Sequence, residues 1–132
     1  MALAAFGLDL VLPNGTTRYV ALGFSADLLG GTFEELTDAG YARAAHAAWT
    51  TEVTTEDIRR KNNGAIVFDP ITDGVKAVSW WAIFDASIGG NLIAAGPLLN
   101  AIGEPEAQDV GAGDQPRFDD GQLRLIATPE EV

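Results

Sequence analysis

The chain has 132 residues, with 19 acidic against 8 basic side chains and a formal net charge of −11. That length suits a single domain able to bury its own core, and the absence of cysteine removes disulfide frameworks, thiol catalysis and cysteine-based zinc sites. The acidic excess argues against a nucleic-acid partner, because affinity for a phosphate backbone rests on Lys and Arg.

The opening residues, Met1 to Gly7, lack the basic segment of a secretory leader, so none is expected. Ala4, Phe6, Leu8, Leu10 and Leu12 alternate with smaller or polar neighbours, the period of a strand; a helix over residues 2–12 is the rival reading. Pro13-Asn14-Gly15 signals a turn, and the β-prone run from Thr16 to Phe24 reads as the return strand. Ser25 to Gly31 reads as a loop in which Ser25 could open a helical turn. Thr32 and Glu35 carry the spacing of a helix capping box. From Tyr41 to Trp49 the alanines favour helix, yet Tyr41, Arg43, Ala45, Ala47 and Trp49 share one face of a strand and Thr50 to Thr55 continue in β-prone residues. Strand is the reading adopted.

The only basic cluster, Arg59-Arg60-Lys61, reads as a solvated loop leading to a turn that ends at Gly64. A short buried strand follows from Ala65 to Asp69, then a turn from Pro70 to Gly74. Val75 to Phe84 reads as one long strand. Trp80, Trp81 and Phe84 fall close together in it and anchor the core. Asp85 is placed to bond nearby backbone amides, Gly89-Gly90-Asn91 supplies a turn, and Leu92 to Ala95 is a short strand stopped by Gly96-Pro97. Gly103 to Asp120 reads as loop with a short strand from Ala107 to Val110, and Gly121 to Ala127 closes the chain as a last strand. Strands separated by turn signals about every 8–12 residues predict a mainly β fold, a compact antiparallel β-sandwich or small barrel with long loops, as a single domain over residues 1–132. The most apolar window, Phe84 to Ile102, is broken by Asp, Gly, Asn and Pro and predicts no membrane span.

The chemistry-bearing residues form no catalytic constellation. His46 is the sole histidine, with no identifiable partner or nucleophile, and reads as a packed or edge side chain. Ser25, Ser79 and Ser87 lie in no nucleophile-elbow sequence. The carboxylate pairs Glu34-Glu35, Asp119-Asp120 and Glu130-Glu131 would point to opposite faces of a strand rather than across a cleft. Asp109, Asp114, Asp119 and Asp120 lie in a glycine-rich stretch that could offer oxygen ligands to Ca²⁺, but their spacing is not that of an EF-hand. No catalytic, cofactor or metal residue is assigned. Adjacent Trp80 and Trp81 point to opposite faces, which places one of them toward a second interface. Trp49, Trp80, Trp81, Phe84 and Phe6 are the candidate interface residues. A carbohydrate-binding module using a Trp face is one alternative.

Three stretches form an ordered set: Gly40-Tyr-Ala-Arg43; Val78 through Trp80, Trp81, Phe84, Asp85, Gly89 and Asn91 to Gly96; and Asp109 to Phe118 with Gly121-Gln-Leu123. Together with Tyr19-Val-Ala-Leu22 they resemble small tailed-phage structural proteins, described as tail-fibre-like or head accessory proteins. The resemblance covers about residues 19–126. It departs at Ala44–Trp49, where the family is more β-branched, and at Glu52–Asn63, which reads as an insertion. The resemblance implies a non-enzymatic virion component assembled in the host cytoplasm, without cofactor, nucleic acid or membrane partner. Small size, no fibrous repeat and an acidic outward surface favour a capsid decoration (cement) protein on the outside of the head, bound to the major capsid protein or other virion subunits. Such a protein would be a homo-oligomer, by resemblance a trimer. A small tail-fibre or baseplate-associated protein is the alternative within the same class.

Overall fold

The computed structural model describes residues 14–37, 40–53, 55, 58–72, 75–100, 102 and 104–127. Among them there is no helix, and hence none long and apolar enough to cross a membrane. The mainly β, antiparallel expectation holds. The strands are β1 (Arg18–Asp27), β2 (Thr32–Glu35), β3 (Ala44–His46), β4 (Trp49–Val53), β5 (Ile58–Asn62), β6 (Ile66–Val67), β7 (Val75–Val78), β8 (Trp80–Phe84), β9 (Leu92–Pro97), β10 (Gln108–Gly111), β11 (Arg117–Phe118) and β12 (Arg124–Ala127). Among the described residues they form several open sheets, and none closes into the barrel that was one of the two architectures expected.

The chain divides into two compact units. One contains residues 18–45 and 67–116; the other contains residues 1–17, 46–66 and 117–132. The larger unit is built on a sheet of order β2-β1-β8-β9, with β3 also paired to β1. Its register aligns Ala21 with Ala82 and Ala82 with Ala95 across three strands. Ala21 and Ala82 are buried, and Phe33, Phe84, Leu92 and Ala95 pack around them. Small side chains in the middle of the sheet leave room for the rings, whose burial contributes on the order of 1.5–3 kcal/mol each.

On Trp81 the register explains a glycine. Trp81 pairs with Gly96, and a Cβ at 96 would lie 2.8 Å from the Trp81 ring. The Gly96-Pro97 dipeptide therefore continues β9 rather than stopping it: only a residue without a side chain lets the indole close over the neighbouring strand.

Several expected boundaries move for local reasons. Val75–Phe84 is two strands, not one. Ser79 donates its backbone N–H to Gly23 O at 3.0 Å and its hydroxyl to Phe24 O at 3.1 Å. Before it β7 pairs with β10, and after it β8 pairs with β1 and β9. The Thr32–Glu35 spacing is not a helix cap but strand β2, which returns antiparallel to the far half of β1 after a turn at Leu28 to Gly31. The Asp27 carboxylate accepts the Gly30 N–H in that turn. Arg59-Arg60-Lys61 is not a loop but the middle of β5, between β4 and β12 in the smaller unit. The first arm of the expected N-terminal hairpin, with Phe6, lies outside the described residues.

Candidate interaction surface

The densest polar assembly starts from strand alternation. In β2, Glu34 points to solvent, so Glu35 turns to the partly covered face beside Phe33. Gly40 opens the segment that meets it. Its φ is +83°, and a Cβ there would lie 2.5 Å from Pro70 O, so only glycine fits. Tyr41 and Arg43, two apart in extended chain, then reach the same carboxylate. Tyr41 donates its hydroxyl to Glu35 Oε2 and accepts the Leu22 N–H. Arg43 donates through Nε to Oε2 and through Nη2 to Oε1, both at 2.9 Å, the forked geometry that suits a guanidinium. Burial, and then the hydrogen bond to Glu35, push the Tyr41 hydroxyl well above its usual range.

Arg43 reaches further. Nη1 donates to Ala86 O at 2.9 Å and Gly89 O at 2.8 Å, and the guanidinium carbon lies 3.7 Å from the centroid of the Phe84 ring. Phe33 packs edge-on against the same ring, at 6.2 Å between centroids. One side chain thus ties β2, the core ring of β8 and the turn that follows β8. The turn is closed from within. The Asp85 carboxylate accepts the backbone N–H of Asn91 at 2.7 Å and its side-chain amide at 2.9 Å, and these bonds, the backbone one first, hold its carboxyl below the ordinary value. Ile88 sits on this braced turn and is 89 % exposed. Glu35, Tyr41, Arg43, Ile88 and Gly89 line an open cleft of about 310 Å³. The arrangement holds an apolar side chain out on a rigid support. Its polar groups satisfy each other.

The smaller unit is organised by Asn62, which is fully buried. Its Oδ1 accepts the Leu123 N–H, and its Nδ2 donates to Gly64 O and Asp119 O. A buried amide with its groups bonded in this way fixes the loops it touches. His46 places Nε2 2.8 Å from Ala48 O and packs edge-on against Trp49. Arg60 is buried and bonds Thr51, while Arg59 and Lys61 face Glu52.

The acids weighed as calcium ligands are separated by role. Asp114 accepts the Gly111 N–H, Asp119 pairs with Arg117, and Asp120 accepts the Gly64 N–H. Among the described residues no group of His, Asp or Glu is arranged to hold a metal ion.

Of the candidate interface residues, Trp49, Trp81 and Phe84 are buried within the chain and Trp80 is half-buried; Phe6 lies outside the described residues. Large apolar side chains are exposed elsewhere, at Leu28, Leu29, Val53, Val67, Ile88, Leu99 and Ile102. Sequence reading missed Glu35 and Asn62. Alternation through β2 carried a signal for Glu35; the turn-prone run Asn62-Asn63-Gly64 carried none that singled out Asn62.

The family model described as podophage GP4 fiber I protein gp80 matches residues 7–126. The segments that carry the resemblance fall within that range, and Tyr41 and Arg43 of the Gly40-Tyr-Ala-Arg43 motif are the two donors that converge on Glu35. No curated protein matches the chain.

Proposed function

We infer the role from one premise: the chain belongs to the podophage GP4 fiber I protein gp80 family and is a structural component of a tailed-phage virion. Within the virion we place it in the fibre apparatus rather than on the head shell. The family match over residues 7–126 carries this reading, because the matched family is described as a fibre protein. Its work is mechanical: it joins other virion subunits through buried contact area and performs no reaction.

The distribution of exposed apolar side chains supports assembly with further copies. The longest strand among the described residues has 10 residues, which spans roughly 33 Å, so a fibre needs many chains. Gly23 pairs with Trp80 and Trp80 with Pro97, so β1 and β9 both leave the sheet at one end. Leu28 and Leu29 follow β1 there, and Leu99 and Ile102 follow β9. Ile88 is exposed at the opposite end, on the turn between β8 and β9. Apolar contacts at both ends of one sheet suit head-to-tail packing, the kind of interface that extends rather than closes.

Antibody against the purified chain, gold-labelled and applied to intact virions, tests the placement. Gold along the fibres or at their base is expected. Gold spread over the head shell would instead establish a capsid decoration protein, the reading that size and charge favour.

A further inference from the structure

We propose that Asn63-Gly64 is a self-modifying site, at which the Gly64 amide cyclises onto the Asn63 side chain with the Asp120 carboxylate as proton acceptor. The chemistry needs an unrestrained carboxamide, a following residue whose small size lets its backbone nitrogen approach, and somewhere for the amide proton to go. The chain offers two Asn-Gly pairs, and they differ in each respect that is not fixed by sequence.

At Asn14-Gly15 the carboxamide is held, because Asn14 Oδ1 accepts the Trp49 N–H at 3.1 Å. The nucleophilic amide is held as well. Gly15 donates to Ala47 O at 2.8 Å, and that neutral carbonyl cannot take the proton. Both residues are exposed at Asn63-Gly64, as they are at Asn14-Gly15, but no hydrogen bond among the described residues restrains the Asn63 carboxamide. The Gly64 N–H points at Asp120 Oδ1 at 2.7 Å, a charge-assisted bond to a base. The neighbouring Asn62 carboxamide is fully bonded and buried, and the residue after it is not glycine.

The step balances without any added reagent except water. Gly64 N bonds to Asn63 Cγ as its proton passes to Asp120. The Cγ–Nδ2 bond then breaks, and the leaving nitrogen takes that proton and departs as ammonia. Water opens the resulting five-membered imide at either carbonyl, giving aspartate or isoaspartate. Isoaspartate adds a methylene to the main chain at residue 63. The Asn63 N–H bonds Ala48 O at 2.9 Å and its carbonyl lies 3.2 Å from His46 Nε2, so the conversion would disturb the packing of β4 beside it.

Peptide mapping by mass spectrometry of the folded full chain, incubated at mildly alkaline pH, reads the conversion residue by residue, and isoaspartyl methyltransferase labelling identifies the isomer. Asn63 should convert several-fold faster than Asn14, and the difference should vanish when the same chain is incubated in urea. Asp120→Ala, which removes the carboxylate without creating a further Asn-Gly pair before Gly121, should slow Asn63 several-fold while leaving Asn14 unchanged. An intact Asn63 in the folded chain, or equal rates at the two pairs, would overturn the site. An unchanged or faster rate in Asp120→Ala would overturn the role of the carboxylate.

Discussion

The guanidinium carbon of Arg43 sits 3.7 Å from the centroid of the Phe84 ring while its nitrogens hold Glu35 and the Ala86 and Gly89 carbonyls. A cation caps the apolar cluster of the larger unit and, from that position, braces the turn bearing Ile88. Stability of the core and presentation of the surface are thereby properties of one side chain.

Arg43→Ala should therefore cost about 3 kcal/mol in urea unfolding, since it strands Glu35 beside a half-buried hydroxyl and frees two carbonyls. Arg43→Lys should recover less than half of that, because an ammonium cannot form the fork and reach both carbonyls together. Arg117→Ala, which breaks an exposed pair with Asp119, should change stability by no more than about 0.5 kcal/mol. A lysine variant as stable as the parent would show that charge alone suffices at position 43.

The same region contributes to the pH dependence, at both limits. Asp85 has its folded-state pKa lowered by the Asn91 bonds. Its contribution is complete above the ordinary carboxyl range and disappears as pH falls through the lower folded value. Tyr41 has its folded pKa raised. Its contribution is complete below the ordinary tyrosine value of about 10 and is lost as pH rises beyond it, where the unfolded chain releases the proton first. Thermal melts across pH should show both limbs. Asp85→Asn should flatten the acid limb alone and Tyr41→Phe the alkaline limb alone; a limb that survives its own substitution belongs to another group.

How much of this was legible in the sequence follows from what each signal can carry. Alternation and turn chemistry located β1, β4, β8, β9 and β10 to within a few residues, because both act within a strand and its turn. The break at Ser79 was hidden: β-prone residues run on through Val75–Phe84, and only the change of partner from β10 to β1 divides it. Arg59-Arg60-Lys61 read as solvated because charge was weighed without the facing strand, where Glu52 and Thr51 supply partners. The Thr32–Glu35 capping pattern was outweighed by pairing with β1, tertiary contact overriding a local propensity. In the Gly40-Tyr-Ala-Arg43 motif the sequence showed the donors, but the acceptor Glu35 and the ring of Phe84 came together only through folding.

Trp49 is one of the candidate interface residues, and its burial within the chain decides what its removal should do. It is 2 % exposed, stacks edge-on with His46, and its indole N–H has no hydrogen-bond partner among the described residues. The ring therefore contributes through packing, while the buried N–H works against it, at a cost of about 1–3 kcal/mol. Trp49→Ala should destabilise by about 3–5 kcal/mol, the range for losing a large core ring. In Trp49→Phe the smaller ring loses contacts but sheds the unbonded donor, so the two effects oppose and the net change should stay near about 1 kcal/mol. Urea midpoints of both variants measure the difference. A phenylalanine variant as unstable as the alanine one would mean that the N–H is bonded in solution and that Trp49 holds its place through that bond rather than through its ring.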